Sequence, residues 1–144
     1  MQINSRTRHI IGLIYENANS IDISGPLQVF DTASRLLMES QQTKQAAYLV
    51  ETVAEYITPL PLTGGLQAIA HYDFSTMPTP DTLIIPGGQG APLVVQNSET
   101  ITWVKQTARN TRRLASTCTG AFILAKAGLL DNREATTHWQ YAHT

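Results

Sequence analysis

Cysteine is almost missing from this chain: Cys118 is the only one among 144 residues. A lone thiol closes no intrachain disulfide, so nothing points to an oxidising compartment, and the cytoplasm is the expected location. A surplus of positive charge is missing as well. Ten Lys and Arg stand against eleven Asp and Glu, a formal net charge of -1, which argues against an electrostatic grip on a phosphate backbone. Long hydrophobic runs are absent too. The stretch 10–15 is far too short to span a membrane and has no secretory layout around it, so no membrane partner is expected. There is no internal repeat and no low-complexity tract. What remains is an ordinary globular composition, 42% hydrophobic and 15% charged. At this length the chain is expected to form one domain over residues 1–144, burying roughly two-thirds of its unfolded surface.

The apolar segments set the expected order of elements. Residues 9–15 are a near-continuous isoleucine-rich run, the pattern of a strand buried on both faces in a parallel sheet. A polar loop follows, then a helix that Ser24 can cap with Pro26 in its first turn. Leu27, Phe30, Ala33, Leu36 and Leu37 keep helical spacing along it, and it is expected to end within 38–41. Residues 46–53 read as a second strand, and Pro59, Pro61, Gly64 and Gly65 break the next stretch into short extended pieces. Residues 81–85 form a compact apolar strand cut off by Pro86-Gly87-Gly88. Helical spacing returns over 98–110, with Ser98 as its cap. Arg109, Arg112 and Arg113 gather at the end of that helix, where they favour its dipole. A helix over 121–127 is stopped by Gly128, and 134–137 read as a last strand before His138-Trp139. Strands alternating with helices predict an α/β sheet.

The stretch Ser116-Thr117-Cys118-Thr119-Gly120 joins a strand to a helix with almost no connection. A thiol there sits at a helix N-terminus, where the dipole and unpaired amides favour an anion and hence a thiolate. A small buried cysteine filling a helix–sheet contact is the commoner fate of such a residue, so both readings stand at this point.

Ligands of open α/β sheets bind beyond the carboxyl ends of the strands. Asp22 follows the first strand, Gly87 and Gly88 the middle one, Cys118, Thr119 and Gly120 the next, and His138 closes a fourth. Each has a plain explanation as a turn, cap or core residue, but together they outline a site. An ionised Asp22 beside a thiolate repels it, so the pair is expected to share a proton. The backbone N–H groups of Gly88 and Thr119 are the expected donors to an oxyanion formed on attack by Cys118.

These residues carry a resemblance. The segments are Asp22-Ile23-Ser24-Gly25-Pro26-Leu27-Gln28-Val29-Phe30, Asp81-Thr82-Leu83-Ile84-Ile85-Pro86-Gly87-Gly88 and Ser116-Thr117-Cys118-Thr119-Gly120-Ala121-Phe122. A fourth, Ala127-Gly128-Leu129-Leu130, runs on to Ala135-Thr136-Thr137-His138-Trp139. In this order the chain resembles the ThiJ/PfpI superfamily, whose fold is like the class I glutamine amidotransferase domain. The resemblance implies a flavodoxin-like three-layer sandwich with a mostly parallel central sheet. It also implies Cys118 as nucleophile, Asp22 as acidic partner and Thr119 as the polar residue beside the nucleophile. Gly87, Gly88, Gly120 and His138 complete the expected oxyanion and ligand-binding set, and no metal or cofactor is expected. Many members use glutamate where Asp22 stands, which speaks against deglycase and protease activities.

Two branches share these motifs: the amino-terminal domain of GlxA-type AraC-family transcription regulators, and isonitrile hydratase, which adds water to an isonitrile to give an N-substituted formamide. The segment 30–38 and the long connection to Ala46 resemble the regulator sensors more. Sensing of a small molecule is therefore the first expectation, and a cysteine-dependent hydro-lyase of the isonitrile hydratase type the alternative. A homodimer is expected, with DNA contacted only through a C-terminal domain outside these residues. Because the family domain continues past the Thr-His-Trp segment, the chain is expected to be truncated at its C-terminal end and to self-associate through uncovered sheet.

Overall fold

The computed structural model describes residues 6–143. Its centre is β1 (Arg8–Leu13), where Ile10, Ile11 and Leu13 are at most 1% exposed, as a strand covered on both faces requires. It pairs in parallel with β2 (Tyr48–Ala54) on one side. Between β2 and the next sheet strand, β3 (Leu60–Pro61) and β4 (Gln67–Ala68) form an antiparallel hairpin around the 3-10 turn Thr63–Gly65. Then β5 (Tyr72–Asp73) adds to β2, while β6 (Thr82–Ile85) joins the other side of β1 and β7 (Arg113–Ser116) adds to β6. The five-stranded order is β5-β2-β1-β6-β7, with every pairing parallel.

The chain thus runs outward from β1 in one direction and later in the other. Right-handed crossovers then place the two sets of helices on opposite faces. On one face lies α1 (Ser20–Glu39), close enough that a Cβ on Gly12 would meet Leu27 at 3.2 Å. On the other lie α2 (Ala91–Gln96), α3 (Ser98–Ala108) and α4 (Gly120–Lys126). Trp103, Val104, Ile123 and Leu124 join Ile11, Leu13, Leu83 and Ile85 in the core, and Phe74 stacks on Trp103 at 4.1 Å. The result is a flavodoxin-like α/β architecture with a parallel central sheet.

Four local expectations are corrected. Helix α1 starts at Ser20, one turn before Ser24, so Pro26 lies inside it. Proline has no N–H for the carbonyl four residues back. That carbonyl belongs to Asp22, and it accepts a long bond from the Thr117 hydroxyl at 3.4 Å. Residues 134–137 form no strand, and His138 caps a 3-10 turn, Trp139–Tyr141, rather than closing one. Asn97, not Ser98, caps α3, its Oδ1 accepting from the Glu99 and Thr100 amides.

The fourth concerns Arg112, whose guanidinium makes two 2.7 Å bonds to Asp81 instead of serving the helix dipole. These bonds, chiefly, hold the Asp81 carboxyl below the usual carboxylate range against the opposing effect of desolvation. A lowered value means that the stabilisation is present above the ordinary carboxylate range and fades as pH falls through the lowered one. Arg112→Gln is therefore expected to be slightly less stable at neutral pH, as an exposed pair allows, and equal to the parent in strong acid. Urea unfolding across pH checks this; a gap that persists unchanged into acid would overturn it.

Candidate functional site

Strand β7 ends at Ser116 and α4 begins at Gly120, so only Thr117, Cys118 and Thr119 make the turn. The Thr117 N–H continues the ladder to the Ile85 carbonyl at 3.0 Å, and the Gly120 N–H closes back on the Thr117 carbonyl at 2.9 Å. A reversal this tight forces Cys118 to φ 51, a left-handed conformation that a side chain disfavours by roughly 1–2 kcal/mol. Gly120 has no side chain because a Cβ there would collide with the Ile85 and Pro86 carbonyls. Cys118 is half-buried at the head of α4.

The loop after β6 passes directly over this turn. A Cβ on Gly87 would lie 2.8 Å from that of Cys118, so only glycine fits. The Gly87 N–H donates to Asp22 Oδ2 at 3.2 Å, and its carbonyl accepts from the Asn19 amide at 2.8 Å. The Gly88 N–H donates to the Thr119 hydroxyl at 3.1 Å. The expected oxyanion donor Gly88 is therefore already engaged. Among the described residues, the N–H groups of Cys118 and Thr119 meet no acceptor. Those two amides are the donors left for a bound anion or a developing charge.

Tyr15, which the sequence did not single out, supports the loop from beneath. Its hydroxyl donates to the Pro86 carbonyl at 2.7 Å. Burial first, then the negative charges of Asp22 and Cys118, raise its titration far above the phenol range, so it stays a donor. The signal was its place at the end of the first apolar run.

Cys118 and Thr119 open into a cleft of about 370 Å³ whose walls include Gly88, His138, Tyr141, Asn19 and Thr63. The Thr63 hydroxyl accepts from the Ser20 amide and donates to Asn19 Oδ1, which fastens the β3–β4 hairpin to the head of α1. His138, also in the lining, accepts from the Gln140 amide through Nδ1 at 3.3 Å. That leaves the proton of the neutral ring on Nε2. Thr137 reaches the turn itself, its hydroxyl donating to the Cys118 carbonyl at 3.0 Å. Of the expected residues, Cys118, Thr119, Gly88 and His138 line the cleft; Asp22, Gly87 and Gly120 are outside its lining, Asp22 joined to the Gly87 amide and Gly120 packed on the Ile85 and Pro86 carbonyls. A separate concavity of about 250 Å³ near Glu16, Glu55 and Asn97 has no cysteine, serine, lysine or histidine in its described lining.

The whole arrangement lies beyond the ends of β1, β6 and β7, where the strand order reverses around β1 and open α/β sheets take their ligands. The chain is similar to several known proteins. A protein of unassigned role encoded in the cpoL 5′ region of Streptomyces lividans is 33% identical over 135 residues, 94% of this chain and 90% of that protein. An isonitrile hydratase from Pseudomonas putida is 30% identical over 129 residues, 90% of this chain but 51% of the enzyme. The HTH-type transcriptional regulator GbdR of Pseudomonas aeruginosa is 38% identical over 76 residues, 53% of this chain and 20% of the regulator. The crystal structure of a THiJ/PfpI family protein from Pseudomonas syringae superposes with a TM-score of 0.81 at 26% identity, covering 94% of this chain and 52% of that one. The chain therefore spans about half the length of the hydratase and of this solved structure. With the DJ-1/PfpI family model matching residues 8–144, the chain belongs to the DJ-1/PfpI family.

Proposed function

We propose that the cleft is a thiol-dependent site that adds water to a small neutral electrophile of the isonitrile type. One observation carries this reading: Cys118 is held at φ 51 on the wall of the cleft, beside two amides that meet no acceptor among the described residues. Such strain persists only where the surroundings enforce it, and it is concentrated at reactive positions. The match to the hydratase, which runs along 90% of the chain, supports the same reading.

The chemistry balances with the residues at hand. The Cys118 sulfur bonds to the terminal carbon of R–N≡C, and the thiol proton ends on that carbon to give R–N=CH–S–Cys118, its proposed carrier being Asp22, the acidic partner that the family resemblance implies. Water then adds across the C=N bond, its oxygen to carbon and one proton to nitrogen. As the C=O bond forms, the C–S bond breaks, and the remaining hydroxyl proton returns to the thiol through Asp22. The product is R–NH–CHO, one isonitrile plus one water. The Cys118 and Thr119 amides stabilise the oxygen while it carries negative charge.

Incubating the purified protein with cyclohexyl isocyanide and following the formamide by NMR tests this. Turnover is expected, reduced by about 100-fold or more in Asp22→Asn, which cannot carry the proton. No turnover, or turnover indifferent to Asp22→Asn, would sink the assignment.

A second reading, a small-molecule-sensing domain of an AraC-family regulator, draws on the regulator match, which has the higher identity over its shorter stretch. There the same cleft would hold its ligand without turnover, and DNA contact would come from a further domain. Under both readings the proposed assembly is a homodimer, which light scattering checks.

A further inference from the structure

Several bonds hold the turn at Cys118, but among the described residues only one grips the peptide between Cys118 and Thr119. The Thr117 amide to Ile85 and the Gly120 amide to Thr117 fix the neighbouring peptides. The Thr137 hydroxyl alone takes the Cys118 carbonyl, at 3.0 Å and across 19 residues of chain. We propose that Thr137 is a positioning residue: by holding the Cys118 carbonyl, it aims the Thr119 N–H, at the other end of the same peptide plane, toward the reacting atoms.

The reason is geometric. A trans peptide is planar, so its C=O and N–H point in opposite directions and turn together. At φ 51 Cys118 is strained, and relaxing that strain rotates this very plane. One hydrogen bond on the carbonyl opposes the rotation, and so keeps the amide where it is. The amide is also kept uncovered. A Cβ at Gly87 would stand 2.5 Å from the Thr119 nitrogen, so any side chain there would cover it. Thr119 itself is anchored through its hydroxyl by the Gly88 N–H, which leaves its own N–H without an acceptor among the described residues. The residue after Thr137 is His138, a wall of the cleft, so a single segment both shapes the cleft and sets its backbone donor.

The inference rests on Cys118 being the reacting atom, and the experiment separates the two. Because Cys118 is the only cysteine, iodoacetamide reports on one sulfur in the full chain. At neutral pH the parent is expected to alkylate faster than glutathione. Thr137→Val, which keeps the shape and removes the donor, is expected to slow this by about five-fold, the effect of one net hydrogen bond. Thr137→Ser restores the donor and is expected to recover the rate to within about two-fold. In the isonitrile assay Thr137→Val is expected to lower kcat with KM little changed, since the amide acts on charge that develops during reaction. Should valine unfold the protein, Thr137→Ala carries the same expectation. A fast parent with an equally fast valine variant, or a serine variant as slow as valine, overturns the role of Thr137 alone. A parent no faster than glutathione overturns the reading of Cys118 and this inference with it.

Discussion

Cys118→Ser is expected to lower kcat/KM for isonitrile hydration by about four orders of magnitude while leaving the melting temperature close to that of the parent. The two halves of this expectation come from different atoms. Stability at the turn depends on backbone groups: the Thr117 and Gly120 amides and the carbonyl that receives Thr137. Serine keeps all of them, and at φ 51 its side chain is strained no more than that of cysteine. Reactivity depends on the sulfur, and a serine hydroxyl needs a base to become a nucleophile. His138 does not supply one, because its Nδ1 is occupied by the Gln140 amide and its Nε2 carries the proton. Steady-state kinetics beside thermal melts checks both halves. Retained hydration would show that the sulfur takes no part. Saturable binding of the isonitrile without turnover in the parent would move the assignment to the sensing domain.

Gly120→Ala is expected to destabilise the fold by about 3 kcal/mol or more. The added methyl would meet the carbonyls of Ile85 and Pro86. Both are backbone, so neither can swing aside as a side chain would. The Ile85 carbonyl is also the acceptor for Thr117, so moving it breaks the last rung between β6 and the turn. Gly25→Ala is the matched control. Gly25 lies within α1 with nothing within 4 Å of its would-be Cβ, so the same substitution there is expected to be neutral or to stabilise by about 0.5–1 kcal/mol. Urea unfolding of the two variants separates them. A Gly120→Ala protein within about 1 kcal/mol of the parent would mean that the turn and β6 part without loss.

Some of this was legible in the residues alone. The isoleucine run of β1 predicted a strand covered on both faces, and the tight Cys118 turn followed from a strand and a helix with almost nothing between them. Where the reading went astray, a distant partner had changed the local outcome. Pro26 looked like a first-turn residue because an interior proline leaves a carbonyl without a helical donor, and only the fold brings the Thr117 hydroxyl to that carbonyl. Residues 134–137 looked extended enough for a strand, but a strand needs a ladder, and their tie to the turn is the single Thr137 hydroxyl bond. Gly88 was expected to offer its N–H to a ligand, and the fold engages that N–H with the Thr119 hydroxyl, while the Cys118 and Thr119 amides meet no acceptor among the described residues. Arg112 lay where a helix dipole would hold it, and Asp81 outbid the dipole with two direct bonds.

The sequence by itself determined the alternation of strands and helices and the cysteine at the strand–helix turn, because each rests on spacings of a few residues that a linear reading can see, and its four motif segments carried the resemblance to the family. Tertiary structure alone decided which groups meet at that turn. Asp22 meets Gly87 across 65 residues, Gly88 meets Thr119 across 31 and Thr137 meets Cys118 across 19. A hydrogen bond depends on angles and on tenths of an ångström, and across such separations those are set by how the sheet twists and the helices pack, not by any local pattern.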